Sequence, residues 1–261
     1  MYNFDFVRPS SVAEAVKALG DEDAQALGGG QTLIPTLRAR LASPSTLVSL
    51  SGIAEIKGIR QEGDSLVIGG GTTHAAVASG AGAYKALADL AARIGDPAVR
   101  NRGTIGGSIA NNDPSACYPA AALGSGATIV TNAREIAADD FFQGMFTTAL
   151  EPGEIITAVK FPIARRARYE KFIQPASRFP LVAVFVAQYD DGVRVAVTGA
   201  SEEGVFRWAD AEEALNKEFR TDALMDLKVP ADGMIGDLHG TKEYRAHLVG
   251  VMTKRAIAAA A

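Results

Sequence analysis

The chain has 261 residues, 48% of them apolar and 21% charged, with a formal net charge of −4. That is the composition of an ordinary globular protein, long enough for one large domain or two smaller ones, and it excludes extensive disorder. The lack of basic excess argues against nucleic acid or an anionic membrane as main partner. The single cysteine, Cys117, excludes internal disulfides, iron–sulfur clusters and thiolate zinc sites on this chain.

Met1 to Phe6 lack the basic and apolar regions of a signal peptide, and no run approaches the roughly 18 apolar residues of a membrane span, so a cytoplasmic location is expected. Residues 11–19 open on a capping serine and place Val12, Ala15, Val16 and Leu19 at helical spacing. Residues 24–27 read as a short strand that runs into Gly28-Gly29-Gly30-Gln31-Thr32, then a helix over 33–40 and a strand over 46–50. The cycle repeats: a strand over 65–68, the turn Gly69-Gly70-Gly71-Thr72-Thr73-His74, and a helix over 75–79.

A helix over 85–94 leads to the stretch 98–114. It holds Arg100, Arg102, a Gly-Thr-x-Gly-Gly-Ser turn at 103–108 and Asn111-Asn112-Asp113-Pro114. With almost no bulky apolar side chain, it contributes little to a core and leaves room for a ligand to approach the main chain closely. Strands over 127–130 and 155–161 flank a part-helical 141–150, and 162–166 reads as a linker. Beyond it, strands over 181–187 and 193–198 are joined by Asp190-Asp191-Gly192, a hairpin signal, and helices follow at 209–215 and 242–260.

Three glycine-rich turns at strand ends are more than turn-making requires. Exposed N–H groups in such turns form anion-binding concavities, and a diphosphate is the natural guest. The common nucleotide fingerprints are absent. His74 stands where the dinucleotide motif begun at Gly69 needs glycine, and no P-loop occurs. A large phosphate-bearing ligand held without either motif is expected.

Residues 26–35, Ala-Leu-Gly-Gly-Gly-Gln-Thr-Leu-Ile-Pro, resemble the first flavin loop of the FAD-binding subunits of molybdenum hydroxylases. Residues 94–108, Ile-Gly-Asp-Pro-Ala-Val-Arg-Asn-Arg-Gly-Thr-Ile-Gly-Gly-Ser, resemble the second loop almost residue for residue. The resemblance continues through Glu151-Pro152-Gly153-Glu154, Tyr169-Glu170-Lys171-Phe172 and the C-terminal Glu243-Tyr244-Arg245. Its character is most like the medium subunits of aerobic-type carbon monoxide dehydrogenases, with xanthine dehydrogenase flavin subunits next.

The resemblance implies an α+β fold of the p-cresol methylhydroxylase and vanillyl-alcohol oxidase type. Residues 1–163 would form an FAD-binding domain of two subdomains, about 1–52 and 53–163, and residues 164–261 a small α+β C-terminal domain. FAD would be bound noncovalently, with no covalent link at His74. The backbone from Leu27 through Gly28, Gly29, Gly30, Gln31, Thr32 and Leu33 would cradle the diphosphate, with Thr32 adding a hydroxyl. Thr104, Ile105, Gly106, Gly107 and Ser108 would approach the flavin and its ribityl chain, where a side chain at 106 or 107 would collide. Asn111 would add a polar contact, Ile156 would lie beside the flavin through its main chain, and Lys171 would touch the cofactor. Relatives carry a carboxylate near FAD hydroxyls at the position of Cys117; here it is a thiol, read as buried and structural. Arg100 and Arg102 hold the loop to neighbouring acids or sit near the acceptor route.

The function so implied is electron transfer within a complex. A large molybdenum-cofactor subunit would oxidise substrate, a small subunit with two [2Fe–2S] clusters would pass electrons on, and FAD here would deliver them to an external acceptor. The assembly would be a dimer of heterotrimers, and peripheral attachment of it to a membrane is compatible with that picture. No residue of this chain is expected to catalyse substrate chemistry or bind metal. Two alternatives differ in kind: a stand-alone flavoenzyme of the vanillyl-alcohol oxidase type, or a nucleotide-binding assembly module without catalysis.

Overall fold

The computed structural model describes residues 1–260 as an α+β fold with sheets of three, five and four strands and a two-stranded hairpin. In the first sheet Thr46–Ser49 lies between Asp5–Val7 and Ala24–Leu27, all parallel. The helix Val12–Ala18 makes the crossover, started by Ser11, whose Oγ accepts from Glu14 N at 3.2 Å, and buried through Ala15. Parallel strands end at one edge, so the glycine segment after Leu27 and the turn after Ser49 emerge side by side.

The second sheet is antiparallel, ordered Ile59–Glu62, Ser65–Gly69, Ile156–Pro162, Thr128–Thr131, Glu135–Ala137. Its central strand arrives from far along the chain and pairs Ala158 with Gly69 on one side and Val130 on the other. Ile156 is thereby brought against Gly70. The helices Lys85–Ala92, Ile105–Asn111 and Tyr118–Gly124 share a core with this sheet through Leu87, Leu90, Ile105, Ile109, Tyr118, Ile129 and Phe161.

The third sheet is a meander of Arg166–Ile173, Pro180–Gln188, Val193–Ser201 and Gly204–Arg207. Period-two alternation explains why 180–188 reads as one apolar run. Ala183, Phe185 and Ala187 face the helix Tyr118–Gly124, while Val182, Val184 and Val186 face the C-terminal helix Lys242–Ala259 through Leu248, Val249 and Met252. The helix Tyr118–Gly124 is wholly buried. Small residues let it approach the sheet: a Cβ on Gly124 would stand 3.0 Å from Phe185 O. Thr198 Oγ1 donates to Pro114 O and Ala116 O at 3.0 and 2.8 Å, which ties the segment before Cys117 to the third sheet.

Several expectations are corrected. Residues 105–111 form a helix and not a turn, with Thr104 as cap accepting from Gly107 N; adjacent glycines count against a helix in sequence, but the cap and tertiary contacts outweigh that cost. The linker read at 162–166 shortens to residues 163–165, because Arg166–Ile173 is a strand paired to Pro180–Gln188 and Pro162 still belongs to the strand before it. Within 141–150 only Phe141 is helical, at the end of Ala138–Phe141; Phe142–Gly144 and Thr147–Thr148 pair as a hairpin. Asn112, at φ 41°, holds that hairpin by donating to Gly144 O and Thr147 O at 2.8 and 2.9 Å.

The C-terminal helix starts at Thr241, whose hydroxyl accepts from Tyr244 N at 3.2 Å. Loss of such a cap costs about 1 kcal/mol, so Thr241→Ala should lower the melting temperature by about 2–4 °C in a thermal scan. An unchanged melting temperature would show that the cap contributes nothing here.

Candidate functional site

The three glycine segments meet at one cleft and do different work there. From Gly28 to Leu33 the backbone N–H groups donate to no acceptor of the chain among the described residues. Gln31 and Thr32 are exposed, but Gly28, Gly29, Gly30 and Leu33 are half-buried, where amides are otherwise almost always paired. Gly30 sits at φ 73°, which turns this run of amides inward. Thr32 begins the next helix without using its hydroxyl as a cap. The result is a concave set of donors suited to an anion with several oxygens.

The second segment is not an anion site, against expectation. Its amides are consumed internally: Gly69 N donates to Gly58 O, Gly70 N to Thr157 O and Gly71 N to Ile56 O, at 2.9, 2.8 and 2.7 Å. These glycines serve backbone packing, since a Cβ on Gly70 would overlap the carbonyl of Ile156.

The third segment docks on the second. His74 N donates to Gly103 O, Ile105 N to Thr72 O and Gly106 N to Gly70 O, at 2.9, 3.1 and 2.9 Å. A Cβ on Gly106 would lie 2.7 Å from Gly70 O and 3.0 Å from Gly70 Cα, so the collision expected there is with the protein's own backbone. Gly107 differs: a Cβ there would meet only the Thr104 hydroxyl, at 2.9 Å, and its other side opens on the cleft. Gly29 completes the closure, its Cα face pressed on Arg102 O and Gly103 Cα.

The cleft encloses about 810 Å³. Leu27 through Leu33, Thr104, Gly106, Gly107, Ser108, Asn111, Cys117, Ile156 and Lys171 all line it. Ile105 does not: it is fully buried on the opposite side of its helix, among Ile68, Ile109 and Tyr118. Lys171 is 5% exposed; its Nζ donates to Arg93 O at 2.9 Å and meets Cys117 Sγ at 3.7 Å. Burial pushes its pKa below the ordinary lysine value.

Arg100 holds the approach to the third segment through carbonyls and not acids: Nη1 donates to Ile94 O and Gly95 O at 2.9 and 3.2 Å. Arg102 lines the cleft from an exposed position. Sequence reasoning left out Ser177 to Pro180, which reach the cleft from the third sheet and carry no motif. It weighed His74 only as a covalent flavin link, which it set aside, although a place after a glycine turn was a usable signal. His74 is buried against the Tyr118 ring, its Nδ1 has no partner, and burial, reinforced by Arg100, lowers its pKa from 6.5 to about 4.

The sequence profile of a family described as "FAD binding domain in molybdopterin dehydrogenase" matches residues 2–164. The carbon monoxide dehydrogenase medium chain of Afipia carboxidovorans is 36% identical, over 98% of this chain and 96% of that one. The nicotine 6-hydroxylase medium subunit of Paenarthrobacter nicotinovorans is 33% identical, over 97% and 95%. Among solved structures, reconstituted CO dehydrogenase from Oligotropha carboxidovorans aligns with a TM-score of 0.88 at 33% identity, over 98% of this chain and 97% of that one.

Proposed function

Since the chain belongs to the family of FAD-binding domains of molybdopterin dehydrogenases, we propose that it is the electron-transfer subunit of an oxidoreductase complex. A large molybdenum-cofactor subunit and a small subunit with two [2Fe–2S] clusters are its partners, in a dimer of heterotrimers, and FAD passes their electrons to an external acceptor. The single observation that carries the cofactor assignment is the run of unpartnered amides from Gly28 to Leu33 at the cleft, facing Gly107, where the main chain can be approached closely.

FAD supplies the redox chemistry when bound; the chain supplies binding, orientation and electrostatics. The amides from Gly28 to Leu33 and the Thr32 hydroxyl hold the diphosphate. Thr104, Gly107 and Ser108 border the ribityl chain and flavin, Asn111 and the main chain of Ile156 add contacts, and Lys171 presents a cation. Cys117 contributes shape and a weak hydrogen bond. We assign residues 1–163 to the cofactor domain and the remainder to a C-terminal domain, with the complex in the cytoplasm. No helix of the described residues is long and apolar enough to cross a membrane.

The carbon monoxide dehydrogenase medium chain is the favoured analogue. A nicotine hydroxylase medium subunit matches nearly as well, so the substrate of the complex is decided on another chain. The full chain should purify yellow, with a flavin spectrum, and release FAD into the supernatant on acid denaturation. A colourless chain that fails to take up added FAD would overturn the assignment. Reduction of the bound FAD by a small organic substrate without partner chains would favour the stand-alone flavoenzyme.

A further inference from the structure

Lys171 is a buried cation without a carboxylate beside it. Glu170, its neighbour in sequence, points to the other face of the strand, where it pairs with Arg168 at 2.8 Å and Arg93 at 3.6 Å. The groups that do meet the Lys171 ammonium are the Arg93 carbonyl at 2.9 Å and the Cys117 sulfur at 3.7 Å, and neither is a carboxylate. The phenols of Tyr118 and Tyr169 are fully buried, and burial keeps both protonated. An ammonium has three donors and is costly to bury without a countercharge. Lys171 lines the cleft, so its charge acts there.

The cleft thus carries two separate positive features. The amides from Gly28 to Leu33 lie beside the first turn of the helix Ile105–Asn111, because Gly28 packs on Thr104 and Gly107. Cys117 follows the far end of that helix, and the Lys171 ammonium lies with it. The first feature suits a fixed anion such as a diphosphate. The second suits negative charge located elsewhere on the same ligand, and for a flavin that charge arrives on reduction.

We propose that Lys171, with no carboxylate beside it because position 117 holds a cysteine, raises the reduction potential of the bound flavin by stabilising the negative charge of its reduced form. The inference rests on the FAD reading above and adds a role for the pair Cys117 and Lys171, which lie 54 positions apart in sequence.

The test is a spectroelectrochemical titration of the flavin in the FAD-loaded full chain. Lys171→Met and Cys117→Asp should each lower the midpoint, by about tenfold or more in the oxidised-to-reduced ratio, or ~30 mV for a two-electron couple. Cys117→Asn, of the same size as the aspartate but uncharged, should leave it in place. Flavin bound with an unchanged midpoint in both Lys171→Met and Cys117→Asp would overturn the proposal. So would equal shifts in Cys117→Asn and Cys117→Asp, the outcome of a packing role. Wild-type chain that binds no flavin would overturn the FAD reading itself and this inference with it. That outcome is distinct, because it is read from missing flavin absorbance and not from a potential.

Discussion

Gly106→Ala and Gly107→Val should fail in opposite ways although the two glycines are neighbours. At 106 the new Cβ meets the backbone of Gly70, at 2.7 Å from its oxygen and 3.0 Å from its Cα. Backbone held by its own hydrogen bonds cannot rotate away, and Gly106 N itself donates to Gly70 O at 2.9 Å. Overpacking of that kind costs about 3 kcal/mol, which corresponds to a melting temperature lower by roughly 6–12 °C. At 107 the only obstacle is the Thr104 hydroxyl at 2.9 Å, which can turn aside at the cost of a helix cap, about 1 kcal/mol. The isopropyl group of Val then projects into the cleft. FAD affinity should fall by roughly a hundredfold or more, equivalent to about 2.7 kcal/mol, while the flavin-free chain melts within about 3 °C of wild type. Calorimetry of the flavin-free forms and flavin titration separate the two. Full FAD occupancy in Gly107→Val would move the cofactor away from this turn.

That contrast marks what the sequence can and cannot carry. Three glycine runs stand out in the letters alone, and two of them do border the cleft with free groups or open space. Which amides are free depends on partners remote in sequence, such as Thr157 for Gly70, so Gly69 to Gly71 look like a third anion turn until the backbone hydrogen bonds are traced. Ile105 lies off the cleft for a similar reason: inside a contiguous motif, helical rotation sends one residue to the core while Thr104 and Gly107 line the cleft. The strand Arg166–Ile173 was hidden because its half-buried register mixes charge with Tyr169 and Lys171, and charge near a proline reads as linker. The helix Tyr118–Gly124 was hidden by Pro119, harmless in a first turn. The apolar strand read at 181–187 and the C-terminal helix read at 242–260, by contrast, stand within a residue of Pro180–Gln188 and Lys242–Ala259.

Lowering the pH from 7.5 to 4 should destabilise the wild-type chain through His74, and His74→Leu should remove that component. In the unfolded chain the imidazole takes a proton near 6.5; in the folded chain it stays neutral until about pH 4, because it is buried and faces Arg100. Between those limits the unfolded state binds more protons, so stability falls as pH falls from 6.5 to about 4 and is flat on either side as far as this group is concerned. At 1.36 kcal/mol per pH unit the interval amounts to about 3 kcal/mol. Leucine fills similar space and forfeits no hydrogen bond at Nδ1, which has none. At pH 7.5 the variant should therefore stay within about 1 kcal/mol of wild type. Carboxylates held low by their partners, such as Asp139 beside Arg194 and Arg207, titrate alike in both proteins and cancel in the difference. Urea titrations of the two flavin-free chains across that range measure it directly, and parallel pH profiles would show that His74 takes up its proton equally in the folded and unfolded chains.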